Sequence, residues 1–331
     1  MHKGQILLFS LFSFRAFVIK FIVCVPIFLT VHLIFVSCVS NANVSNPVSG
    51  AFIVRQLSDY CPSLKNSPGD TAVYVLDSGK PGARMLLVAG THGNEIGGIR
   101  AAEFIAEHVL VERGCIFVIP RLNAPGVKAG SRLVPPEDQG QPDPDLYTPP
   151  EGSSVYTGTE QRNIDRSYPG TEYGGTAQII ALAVMRLLVS ENIEIAIDLH
   201  EASPSSPMAW NIVANPKNVQ AAALAVFDLE EKGISMNLEE SAPKMDGLSH
   251  KEWGDRTQAM SFLIETANPA QADYPSADEE NDSRYALSRR IAIQLETIRL
   301  LVARCNEALS APLVFSGIPE YAEQDDHTQG R

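Results

Sequence analysis

Leu86-Leu-Val-Ala-Gly-Thr-His-Gly-Asn-Glu95 is the stretch on which the reading of this chain turns. Its first four residues are apolar without alternation, as expected of a central strand covered on both faces. A glycine turn follows, and a helical pattern starts near Ile96. His92 and Glu95 therefore stand on a loop at the carboxyl end of a buried strand, where open α/β sheets place their sites. An imidazole and a carboxylate on so tight a turn can reach one ion, and Gly93 lets the backbone bend there. The pair suits Zn²⁺, but two ligands do not make a site.

A third ligand is expected from another strand end. Ile193-Glu-Ile-Ala-Ile-Asp-Leu-His200 supplies it: a second apolar run closes on His200, before a Glu-Ala-Ser-Pro loop. Asp198 and His200 share one side of an extended chain, so Asp198 is placed to orient a ligand. A His, Glu, His set with an open fourth position is the arrangement of catalytic zinc. The other histidines give no such pattern. His2 and His32 lie in the leader, His327 in the tail and His108 on a helix. His250, beside Lys251 and Glu252, reads as a solvated loop residue.

Outward from these stretches, short β-branched runs alternate with helical patterns. Strands are expected at 72–76, 85–89, 115–119, 194–199, 209–213 and 261–264, and helices at 98–112, 177–190, 218–232 and 283–308. The alternation predicts a three-layer α/β sandwich around a mixed, largely parallel sheet.

Four motifs occur together in order: the Gly-Thr-His92-Gly-Asn-Glu95 turn, Asn163-Ile-Asp-Arg-Ser-Tyr-Pro-Gly170, Asp-Leu-His200 and Ile-Glu265-Thr. In this the chain resembles the succinylglutamate desuccinylase/aspartoacylase family of the zinc carboxypeptidase superfamily, over roughly 84–271. The resemblance implies a phosphorylase/hydrolase-like fold, one Zn²⁺ per chain and hydrolysis of an amide bond in an N-acyl amino acid or a peptide. A zinc amidase also needs a carboxylate to carry a proton to the leaving amine. Glu265 ends an apolar run and matches the family's catalytic glutamate. Glu201 is its rival, but its side chain should point away from the side of His200. Arg166 matches the family's anchor for a substrate carboxylate, with Asn163 and Asp165 beside it. Asn123 and Arg132 resemble the family's Asn…Arg stretch. Arg132, or else Arg162, is then the cation for the oxyanion.

Two departures bear on the substrate. The family order Asp-x-Asn-Arg appears here as Asn163-Ile-Asp165-Arg166. An aspartate there repels an anionic group unless it pairs with Arg166, or the substrate offers an amine or hydroxyl. Only 66 residues follow Glu265, read as one helix and an acidic tail (311–331), without the family's extra β domain. That layout is closer to zinc carboxypeptidases and murein-peptide amidases. A non-catalytic binding protein on the same fold is the remaining reading.

Composition bounds the rest. The chain has 331 residues and a formal charge of −13. Residues 1–42 hold Lys3, Arg15 and Lys20 and no acid, so the remainder is more acidic still. Such a surface excludes nucleic acid, whose binding needs Lys/Arg clusters. It also leaves membrane contact to the N-terminal segment alone. Phe21 to Val36 is nearly unbroken apolar sequence before a small-residue stretch ending Ser40-Asn41-Ala42. This reads as a cleaved signal peptide, an uncleaved anchor or a lipoprotein signal at Cys38, each placing the folded part (43–310) outside the cytoplasmic membrane. Cys61, Cys115 and Cys305 remain beyond the leader, as one bridge or as free buried thiols. A proline-rich insertion at 134–161 reads as a long surface loop, and could wall the pocket.

Overall fold

The described residues of the computed structural model are 51–140, 158–244, 246–274 and 277–321. The leader, the heart of the proline-rich insertion and the end of the acidic tail lie outside them. Among the described residues are ten strands: β1 (Ala51–Gln56), β2 (Ala72–Asp77), β3 (Arg84–Ala89), β4 (Leu110–Arg113), β5 (Cys115–Ile119), β6 (Ile195–Ala202), β7 (Asn211–Ala214), β8 (Asn237–Glu240), β9 (Met260–Ala267) and β10 (Val314–Ser316). Eight of them form one sheet in the order β1-β2-β5-β3-β6-β9-β7-β8. The central run β5, β3, β6 and β9 is parallel, and antiparallel pairs flank it. The sheet is mixed, as the sequence predicted.

Period-2 geometry divides each central strand between two cores. Met85, Leu87 and Ala89 of β3 join Ile195, Ile197 and Leu199 of β6 on one face. That face is covered by helices α1 (Ile96–His108), α4 (Val219–Glu230) and α6 (Leu287–Asn306). Leu86, Val88 and Ala196 face the other core, covered by α3 (Thr176–Ser190) and by Trp253 of α5 (Ser249–Arg256). A short α2 (Ala124–Ala129) follows β5. Both faces being covered explains why the central strands are apolar without alternation.

The structure corrects several expectations. The helix expected to end at Glu112 stops at His108, and Leu110–Arg113 is strand β4. The β-branched and aliphatic residues there pair with β10, so the chain after Pro312 is not a loose tail throughout. Leu313 is buried and anchors it. Residues 249–256 form a helix rather than a solvated loop, and His250 on it is buried. The three cysteines beyond the leader are free and buried.

Candidate metal centre

Because β3, β6 and β9 run parallel, their carboxyl ends lie on one edge of the sheet. The turn after β3 carries His92 and Glu95. Strand β6 continues past Leu199 through Ala202, and β9 continues past Ile264 to Ala267. His200 and Glu265 thus stand inside strands and are direct register partners. Strand pleat, not loop conformation, sets the face on which each side chain projects.

The turn is held closely. Gly90 has φ +67°, where a side chain is strained. A Cβ on Gly93 would lie 2.2 Å from the Gly126 carbonyl carbon, so only glycine admits α2 against the turn. Asn123 caps α2 by accepting from Gly126 N at 3.0 Å, and its amide donates to the Arg132 carbonyl at 3.3 Å. Its side chain is buried and committed to these backbone groups. Asn123 thus ties the cap of α2 to the backbone of Arg132.

His92, Glu95 and His200 converge, each at most 2% exposed. His92 Nδ1 lies 2.8 Å from Glu95 Oε1 and 3.1 Å from His200 Nδ1. Glu95 Oε2 lies 3.1 Å from His200 Nδ1. Two ligands of a tetrahedral zinc ion stand about 3.3 Å apart, so this donor set fits one ion. The remaining ring nitrogens face outward partners. His92 Nε2 meets Asn163 Oδ1 at 3.1 Å, and His200 Nε2 lies 3.0 Å from Asp198 Oδ2. Asp198 also accepts from Thr91 Oγ1 at 3.0 Å.

The two imidazoles of the cluster are pushed in opposite directions, burial lowering the proton affinity of His92. Burial works against a charged His200, yet Asp198 and Glu95 hold its proton affinity well above the usual imidazole value. Burial also works against a charged Glu95, but His92 and His200 keep it far below the usual carboxylate range. Glu265 behaves oppositely. Burial pushes it well above the usual range, Glu95 adds to this, and His200 and Arg132 oppose it. Its Oε2 is buried with no hydrogen-bond partner, although the residue as a whole is partly exposed.

The cations sort clearly. Arg132 donates to Glu95 Oε1 at 2.7 Å and keeps its side chain 45% exposed. Arg162 donates to the Val134 carbonyl at 2.8 Å. Arg166 stands 3.3 Å from Asp165 Oδ2. Asp165 accepts from Ser249 N at 2.8 Å, at the amino end of α5. Burial opposes its charge, but His200 and Arg166 hold its pKa low. Of the two alternatives for this aspartate, the structure has the pairing with Arg166. Glu201 points to the opposite face, as its strand position required, and meets Arg290 of α6. The partnership of Glu201 with Arg290 was not legible in the sequence. The one signal of Arg290 is a polar position on the apolar stripe of α6, with Ile293 and Gln294.

A family model described as the succinylglutamate desuccinylase/aspartoacylase catalytic domain matches residues 81–281. An N-alpha-acetyl-L-2,4-diaminobutyric acid deacetylase from Halomonas elongata is 29% identical over 121 residues, which is 36% of this chain and 28% of that protein. Tripeptide-bound cell shape determinant Csd4 from Helicobacter pylori shares the fold at TM-score 0.51 and 16% identity, over 72% of this chain and 53% of that one. A metallo-carboxypeptidase from Burkholderia cenocepacia does so at TM-score 0.50 and 12% identity, over 84% of this chain and 69% of that one. The family model covers well over half of this chain, and the chain belongs to the succinylglutamate desuccinylase/aspartoacylase family.

Proposed function

We propose that the protein is an exported zinc-dependent amidohydrolase that removes the acyl group of an N-acyl amino acid. The observation that carries this reading is the convergence of His92, Glu95 and His200 beside a buried, unpartnered Glu265 oxygen. Bound by those three residues, one Zn²⁺ would supply Lewis-acid polarisation and an acidified water.

The chain's own residues supply the rest. Asp198 and Asn163 orient the two imidazoles from outside, which keeps their inner nitrogens free to ligate. Glu265 takes a proton from the attacking water and passes it to the leaving nitrogen. Its Oε2, buried and without a hydrogen-bond partner, is the oxygen that holds the proton between those two steps. Arg132 has its guanidinium at the cluster and is the cation to meet the oxygen that becomes negative at the scissile carbonyl. Arg166 anchors the far end of the substrate.

One observation favours a second reading, hydrolysis of a small peptide by a carboxypeptidase or murein-peptide amidase. Asp165 beside Arg166 partly cancels the positive charge that the second carboxylate of an acidic N-acyl amino acid needs, whereas it can receive an amine of a peptide. Purified protein should be assayed on a panel of N-acyl amino acids and a panel of muropeptides. Turnover confined to the first supports the deacylase; turnover confined to the second supports the peptidase. No turnover on either, with metal bound, points to the binding protein.

A further inference from the structure

Behind the ligand cluster, on the other face of the sheet, lies a buried ion pair that the chemistry above does not use. Glu201 is 1% exposed and Arg290 is 8% exposed. Leaving an ionised carboxylate this deep is costly unless its lone pairs are filled. Here every one of its partners belongs to a segment that carries a site residue, or to α6.

Glu201 Oε1 pairs with Arg290 Nη1. Its Oε2 accepts from Gly97 N at 2.9 Å and from Asn268 Nδ2 at 2.9 Å. Gly97 stands in the first turn of α1, two residues after Glu95. Asn268 directly follows β9, three residues after Glu265. The backbone N–H of Glu201 donates to Glu95 Oε2 at 3.1 Å, and His200 is its neighbour in the chain. One carboxylate thus joins the turn holding Glu95, the strand holding His200 and the strand holding Glu265. Gly97 is required for this approach: a Cβ there would lie 2.3 Å from Glu201 Oε1. One turn along α6 from Arg290, Gln294 donates to the His200 carbonyl at 3.2 Å and to Thr266 Oγ1 at 2.9 Å. Arg290 is itself held by the Tyr285 carbonyl, to which its Nε donates at 2.9 Å.

We propose that the Glu201–Arg290 pair is a positioning device, which sets the mutual spacing of Glu95, His200 and Glu265 and thereby the metal affinity and coordination geometry of the centre. It rests on the metal centre proposed above. An ion pair that merely fastened α6 to the sheet would not need to bridge three site-bearing segments.

The test compares E201Q, R290M and R290K with wild type and with R304M. The last removes a second anchor of α6, in which Arg304 Nε donates to Asp228 Oδ2 at 2.6 Å away from the cluster. Zn²⁺ affinity is measured on folded protein by competition with a chromophoric chelator, and Co²⁺ absorption reports coordination geometry. E201Q and R290M should bind Zn²⁺ about ten- to a hundredfold more weakly and shift the Co²⁺ bands. R290K, which keeps the charge, should recover part of the affinity. R304M should lose thermal stability and bind Zn²⁺ as wild type does. If E201Q and R290M lose stability but keep wild-type affinity and spectrum, the pair is only an anchor and the inference falls. Should E201Q fail to fold, the R290M and R290K comparison decides alone. If wild type itself takes up no Zn²⁺, the functional reading is what has failed, and this inference goes with it.

Discussion

Replacing Glu265 by glutamine keeps the side chain's shape and removes its capacity to move a proton. E265Q should bind Zn²⁺ as wild type does and lose on the order of 10²- to 10⁴-fold in kcat. An E265Q enzyme with wild-type kcat would remove Glu265 from the chemistry. His250 makes a different prediction, for stability. Burial lowers its pKa to about 4, against the pull of Asp165. The unfolded chain therefore binds a proton near pH 6.5 that the folded chain refuses until near pH 4. Stability from this residue is complete above the unfolded value and is lost as pH falls through that window, by roughly 2–3 kcal/mol. In metal-free protein, H250N should flatten this part of the acid limb in urea titrations; an unchanged limb contradicts the account. At this scale the sequence was informative where an apolar run ends in a polar residue, as at His200 and Glu265. It misled at His250 and was silent at Arg290. Both are polar residues amid polar or amphipathic sequence, and only tertiary packing buries them.

Elements position the site through close approach. The turn carrying His92 and Glu95 meets α2 at Gly93, where any Cβ would collide with the Gly126 backbone. Backbone cannot yield as a flexible side chain can, so Gly93→Ala should cost at least about 1–3 kcal/mol. It should also abolish metal binding, read by thermal unfolding and metal analysis. A variant that keeps both would show that the turn tolerates displacement. The strands carrying the site were legible because each is long enough to announce itself as a buried run. Helix α5 was not, since Ser249-His-Lys-Glu-Trp-Gly-Asp-Arg256 shows one large apolar residue, Trp253, which is wholly buried. Strands β4 and β10 were missed for another reason. Each is short, and each becomes a strand only by pairing with a partner some two hundred residues away. Helix α2 could have been found: Asn123 at the cap, Pro125 in the first turn and Gly130 at the left-handed end are ordinary helix punctuation.

For the whole molecule, the parallel β3-β6-β9 run is the feature that turns sequence order into a site. Residues 92, 95, 200 and 265 meet because those three strands end on the same edge. This much, and a mixed sheet, followed from alternating strand and helix patterns, whereas which flanking strands run antiparallel did not. A metal held only by the folded state also stabilises it. At free Zn²⁺ a thousand times its Kd, linkage should add about 4 kcal/mol, and a chelator should remove it. A thermal midpoint indifferent to Zn²⁺ would contradict a folded-state site. The most direct measurement is the metal content of the purified protein, wild type beside His200→Ala, by mass spectrometry. The account predicts one Zn²⁺ per wild-type chain and its loss from the variant. Wild-type protein that holds no zinc and takes none up, or a variant that retains it, would contradict the metal centre.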